Sequence, residues 1–196
     1  GIGLTWDNVD YKLNPGRGFE IHTNYEIGTK VVSPTSGLDA VDFAQVLRNQ
    51  VRQEASISAF WYTTPFPRNV IVLGGRGYWL QLDQYYINDL RFLGGARSLR
   101  GFSEQQFAAS RYAIGTAEYR LKLSRDTYIG AFVDVGYLES QILDDFRTDV
   151  PIGTGLQLSV KTPVGNVNVS YAVGKAAGIP FNFAAGRIHL GLVNNF

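Results

Sequence analysis

The feature that most constrains this chain is a two-residue hydrophobic period recurring in segment after segment, with almost no 3.6-residue period. Across 19–27, Phe19, Ile21, Thr23, Tyr25 and Ile27 alternate with Glu20, His22, Asn24 and Glu26. Ile2, Leu4 and Trp6 alternate with Gly3, Thr5 and Asp7, and Ala55, Ile57, Ala59 and Trp61 with Glu54, Ser56 and Ser58. Ile71, Leu73 and Trp79 share one face of the next run, opposite Val70, Val72, Arg76 and Tyr78. Ala113, Gly115, Ala117, Tyr119 and Leu121 oppose Thr116, Glu118, Arg120 and Lys122; Ile129, Val133, Val135 and Tyr137 oppose Gly130, Phe132, Asp134 and Gly136. Three further runs carry Leu156 and Leu158, then Val169 and Tyr171, then Ile188, Leu190 and Leu192. Successive strand side chains point to opposite faces, so about nine strands of roughly 8 to 12 residues are predicted.

The connections alternate in length. Tight turns are predicted at 14–18, 64–68, 124–126 and 162–165, and Pro65 and Pro67 are expected to end their strand. Long loops are predicted at about 29–50, 80–110, 139–150 and 175–184. Short turns on one rim and long loops on the other form the pattern of an antiparallel transmembrane β-barrel. A soluble sandwich or lipocalin-like barrel would turn its apolar face inward. Here the polar face carries glutamates, Arg76, Arg120 and Asp134, which suit a wet lumen. In the loop at 29–50, Leu38, Val41, Ala44 and Leu47 fit a short helix over 38–52 and equally an extended strand end.

Apolar residues make up 45% of 196, close to a soluble average, as inside–outside alternation requires. Twelve Phe, eleven Tyr and 22 Gly favour β structure. No run of apolar residues reaches the length of a transmembrane helix. No signal peptide is visible, and the absence of Met predicts a mature or excised segment. A net charge of +1 gives no field for nucleic acid, and without cysteine there are no disulfides or thiolate sites. No catalytic signature is present, so no enzyme activity, cofactor or metal is expected. His22 and His189 are read as polar residues facing the lumen.

Two stretches concentrate the chemistry. The first, at 93–102, is rich in glycine and carries Arg97 and Arg100 with the apolar tip Phe102. It reads either as a surface excursion or as a plug turned back into the barrel. The second is a carboxylate pair, Glu118 and Asp134, on the polar faces of consecutive strands. A three-residue turn at 125–127 would place them directly opposite, about 5 Å apart at Cβ, which is destabilising without a cation. Arg76, Arg120 and Arg100 are the candidates.

These residues carry a resemblance. Arg100-Gly101-Phe102 resembles the R-G-F/Y motif in the inward-folded sixth loop of the BamA/TamA superfamily, also called bacterial surface antigens. Gly115 to Glu118 resembles its G-x-x-E motif, and Phe132-Val-Asp134-Val-Gly136 its F-x-D-x-G motif. Asp7 through Asn14-Pro15, followed by Gly18, resembles its D-x-x-x-N-P-x-x-G strand-turn-strand unit. All four occur in order along nearly the whole chain. The resemblance implies an ionic lock of Arg100 on Asp134 and Glu118 with Phe102 packed beside it. It also implies a bacterial outer-membrane location, lipid contact and client outer-membrane or secreted proteins. Insertion or translocation is the implied activity. A structural anchor or pore, or the barrel of a patatin-type esterase whose catalytic domain lies elsewhere, are the alternatives. The final strand, with His189, Gly191 and terminal Phe196, is similar to the closing strand of outer-membrane barrels, departing at Asn194.

The family barrel has sixteen strands preceded by POTRA domains, whereas residues 1–196 read as a single barrel domain of about 8–10 strands without one. That leaves open a fragment of a longer protein, a short member, or a homo-oligomer.

Overall fold

The structure, a computed structural model, describes residues 1–33, 46–163 and 165–193. Its strands are β1 (Ile2–Val9), β2 (Gly18–Val31), β3 (Asn49–Phe66), β4 (Asn69–Gln81), β5 (Arg91–Leu93), β6 (Phe107–Ala109), β7 (Arg111–Lys122), β8 (Tyr128–Ile142), β9 (Asp145–Asp149), β10 (Ile152–Thr162), β11 (Gly165–Lys175) and β12 (Arg187–Val193). The main sheet runs β1-β2-β3-β4-β7-β8-β10-β11-β12, antiparallel at every step, with β9 paired to β8. The small β5–β6 ladder stands apart inside the long loop.

The main path has the predicted nine strands, yet the sheet is not closed: among the described residues β1 pairs only with β2, and β12 only with β11. Of the arrangements left open above, a small barrel closed by the described strands alone is the one this sheet does not form. Eight antiparallel steps leave β1 and β12 running in the same direction, so they cannot complete an antiparallel ladder with each other.

Strand ends differ from the reading above for local reasons. β3 runs through Pro65 to Phe66 because a register shift between Thr63 and Phe66 takes the proline out of the regular ladder. β8 continues to Ile142 and folds back on β9, so 139–150 is largely a hairpin rather than a loop. The β2–β3 ladder reaches Val31 opposite Asn49, shortening the loop there. From Asn49 onward the candidate helix over 38–52 is strand, while 38–45 lie outside the described residues.

The two faces divide as the alternation predicts. Leu73, Tyr119, Ile129, Val133, Leu156, Tyr171 and Leu190 are exposed on one face, while Thr116, Glu118, Asp134, Ser170 and His189 are buried on the other. The loop-bearing face is not wholly polar. Phe60, Tyr62, Val70 and Val72 cluster there, as do Tyr78, Leu80, Leu82, Tyr85 and Leu90. A water-soluble sheet would hide the first face, whereas a lipid-spanning one exposes it.

The 10–17 turn packs beneath the sheet's short-turn rim. The Asp10 carboxylate accepts from the N–H groups of Tyr11 (3.0 Å), Gly16 (2.8 Å) and Arg17 (3.1 Å). The turn reaches its neighbour through Asn14, whose side chain donates to the Asp126 carbonyl (3.1 Å) and whose carbonyl accepts from Lys122 (2.8 Å). Asp10, rather than Asp7, therefore occupies the D of D-x-x-x-N-P. Asp7 pairs with Lys12 instead. Burial alone would raise the Asp10 pKa, but the Gly16 and Arg17 amides outweigh it and hold it below the usual aspartate value. A depressed folded-state pKa stabilises the turn above the unfolded value of about 4 and loses that stabilisation as pH falls below it. Protection of the Gly16 and Arg17 amides, taken relative to the intrinsic exchange rate at each pH, is expected to fall in that acidic window, and to lose this acid response in Asp10→Asn.

Candidate functional site

The connection between β4 and β7 carries the site. It leaves the sheet at Leu82, forms a short turn at Ile87–Asp89 and the β5–β6 ladder, then sends residues 94–106 over the polar face. The tip is held by apolar packing and by charge. Phe102 is fully buried in a cluster with Leu93, Leu99, Ala109, Ile114, Leu138 and Ala176, and meets the edge of Phe107 at 4.9 Å.

Arg100 sits beside it. Its Nε and Nη2 donate to Asp134 Oδ2 and Oδ1, both at 2.7 Å, the bidentate fork a guanidinium makes with a carboxylate. Its Nη1 donates to Glu118 Oε1 at 2.6 Å and to Gln157 Oε1 at 3.1 Å. The guanidinium carbon lies 3.5 Å from the centre of the Phe132 ring, within cation–π range. Thr116 donates to Asp134 (2.9 Å), and Arg120 (2.6 Å) and Gln157 (3.0 Å) donate to Glu118 Oε2. Two arginines face two carboxylates, so the cluster is formally neutral. A polar cavity of about 460 Å³ adjoins it, bounded by Glu20, Arg97 and Asn168 among others.

The structure thus brings together Arg100, Glu118, Asp134 and Phe132 and corrects one expectation. Glu118 does not lie opposite Asp134: Glu118 faces Phe132, and Asp134 faces Thr116. The turn between the strands spans five residues, 123–127, instead of three. Parity is preserved and the register moves by two, so the carboxylates sit diagonally, one at each end of the guanidinium. Of the three candidate cations, Arg100 and Arg120 supply the charge, whereas Arg76 lies over the Phe60 ring.

The remaining motif positions divide. A side chain at Gly136 would meet Leu99 and Pro151 at 3.2 Å, so its absence makes room for the loop. A Cβ at Gly115 meets nothing closer than 4.0 Å, and nothing in the structure explains the glycine there. His189 accepts the Gly101 N–H at 3.2 Å, and Gly191 follows it on β12. Phe196 lies outside the described residues. His22 is away from the site, bonded to Thr5.

Sequence reasoning missed Thr116, Gln157 and a second ionic network at the loop's entry. There, buried Asp89 accepts from Lys30 (2.5 Å) and Arg52 (3.1 Å), while Glu54 accepts from Arg52, from Tyr78 (2.8 Å) and from Arg91 (3.2 Å). The signal was available only as charge on polar strand faces; its pairing depends on tertiary geometry. Asp89→Asn is expected to loosen the 82–91 limb by about 1–3 kcal/mol, the usual effect of weakening a charged hydrogen-bond set. Limited proteolysis between residues 82 and 91 checks it, with the tip at 94–106 remaining protected. Among the described residues, no group of His, Asp and Glu is placed to hold a metal.

An antiparallel sheet with an exposed apolar face, a polar opposite face and a loop clamped onto that polar face defines a membrane β-protein of the outer-membrane type. The Omp85 superfamily domain model matches residues 1–188, and the chain belongs to the Omp85 superfamily. This is the superfamily to which the four motifs pointed. At the coarse level it comprises outer-membrane proteins of Gram-negative bacteria that insert or translocate proteins.

Proposed function

We propose that this chain forms part of the wall of an outer-membrane β-barrel that inserts or translocates client proteins, with the docked 82–110 loop as its internal brace. The observation that carries this reading is the pair of unpaired edges. Among the described residues, β1 and β12 each present one row of backbone donors and acceptors without a ladder partner, and in a hydrocarbon setting such rows must be satisfied. A client strand can satisfy them by adding to the edge, the β-augmentation mode of recognition.

Strand direction constrains what closes the wall. β1 and β12 run in the same direction, and a second copy in the same membrane orientation would meet each edge in parallel. Antiparallel closure instead requires an odd number of additional strands. An odd-stranded segment is therefore the preferred partner, and the client strand enters at one of its two seams.

The lock keeps the 94–106 tip on the polar face while the edges work. The test is reconstitution in liposomes of the protein as it is expressed in the cell. An insertase accelerates folding of a test barrel. Ion conductance without acceleration identifies a pore instead and sinks the proposal.

A further inference from the structure

The Arg-Gly-Phe tip is also gripped by the last strand. The Gly101 N–H donates to His189 Nε2 at 3.2 Å, and the Gly101 carbonyl accepts from Arg187 Nη1 at 3.0 Å. Arg187 Nε donates further to Ser103 Oγ at 3.1 Å. Residues 187 and 189 are two apart on β12 and so project to one face. A single strand captures both polar groups of one loop residue. That residue is buried and has φ of +92°, a conformation that favours glycine.

β12 is otherwise weakly held. Its ladder to β11 joins Arg187–Val193 to partners from Ala172 to Asn166, and among the described residues its other edge has no ladder partner. The docked tip is its second attachment, made through side chains on the loop-bearing face. We propose that Arg187 and His189 are positioning residues that couple loop docking to the order of β12. With the tip seated, β12 presents a rigid edge; with the tip released, one ladder alone restrains it. This rests on the reading that the β12 edge receives clients, but the coupling itself is measured without transport.

The bond also sets a proton condition. Gly101 N–H is a donor, so Nε2 must accept and the imidazole must be neutral. A second proton would place a donor against a donor. The charged and titratable groups around the ring are Arg187 on its own strand, Arg97, Arg100 and Glu104 on the loop, and, across the shared cavity, Glu118 and Arg120 on β7 and Tyr128 on β8; β10 presents Gln157, and β11 the non-titrating Asn168 and Ser170.

The test is hydrogen exchange on the membrane-inserted full chain, reading amides at 99–103 and 187–193, with the 10–17 turn as internal control. His189→Ala is expected to speed exchange in both windows roughly five-fold, the equivalent of one lost net hydrogen bond. His189→Gln is expected to restore protection, because its side-chain carbonyl accepts from the Gly101 N–H. Wild-type protection at Gly101, taken relative to the intrinsic exchange rate at each pH, should fall on acidification as the ring gains its second proton, whereas in His189→Gln it should stay flat. Should His189→Ala fail to fold, Arg100→Ala supplies the decisive arm. Its side-chain partners lie on β7, β8 and β10, yet it is expected to raise exchange in β12. Unchanged β12 exchange in Arg100→Ala overturns the coupling. Failure of glutamine to restore protection overturns the role given to His189. Loss of insertase activity with the coupling intact would count instead against the function proposed above.

Discussion

Arg100→Ala is expected to free the 94–106 tip while the sheet stays inserted and paired. The substitution removes the fork on Asp134, the bond to Glu118 and the stack on Phe132 at one stroke. It leaves Asp134, only 1% exposed, with Thr116 as its remaining side-chain donor. Breaking one partner of a buried pair costs about 3–5 kcal/mol. The adjoining polar cavity admits water to the abandoned carboxylate, which places the expected loss toward the lower end, about 3 kcal/mol. Glu118 is less affected because Arg120 and Gln157 still donate to it. Arg100→Lys keeps the charge but not the planar fork and should fall between wild type and alanine. Protease accessibility of residues 94–106 reads the release, and heat-modifiable gel mobility confirms that the sheet remains assembled. A protected loop and full activity in Arg100→Ala would dispose of the lock.

The second large effect involves no charge. Gly153 and Gly174, on β10 and β11, lie directly under the loop tip. A Cβ at Gly153 would collide with the Arg100 carbonyl, and one at Gly174 would lie 2.6 Å from Phe102 Cζ and 2.8 Å from the Gly101 carbonyl. The backbone atoms there cannot move aside, so the whole tip must lift. Gly153→Val is therefore expected to expose 94–106 as fully as Arg100→Ala, with Arg100, Arg120, Glu118 and Asp134 all retained. Overpacking of this kind costs about 1–3 kcal/mol, and because valine is itself favoured in a strand, that cost falls on the docked loop rather than on the sheet. Because both changes undo one docking event, the double variant should be no more accessible than either single variant. Additive effects would mean that the tip is held by independent contacts rather than seated as a unit.

The site was legible in part, and the divisions follow physical lines. Parity along β7 and β8 placed Glu118 and Asp134 on one face because side-chain direction in a strand depends only on counting by two. Their register could not be counted in that way. It rests on the 123–127 turn, where Leu123 and Ser124 both donate to the Thr127 carbonyl and lengthen the loop by two residues. Arg100 was found as a loop arginine with a familial neighbourhood, yet its bond to Gln157 depends on where β10 lies beside β8. The contacts of Asp89 with Lys30 and Arg52 span 59 and 37 residues and leave no local trace.

By itself, the sequence determined that this chain is an antiparallel β protein with an apolar face toward lipid, a polar face opposite, and about nine strands. Those properties follow from a two-residue period and from turn chemistry, which act between neighbours. Only the tertiary structure decided that the sheet stays open, that the carboxylates are diagonal, and that β12 grips the loop. Each of these depends on register summed over several strands and on a loop folding across that sum. The 93–102 stretch belongs to both accounts: its composition marks a glycine-rich basic loop that could lie outside or turn inward, and the sheet beneath it decides for the inward, buried position.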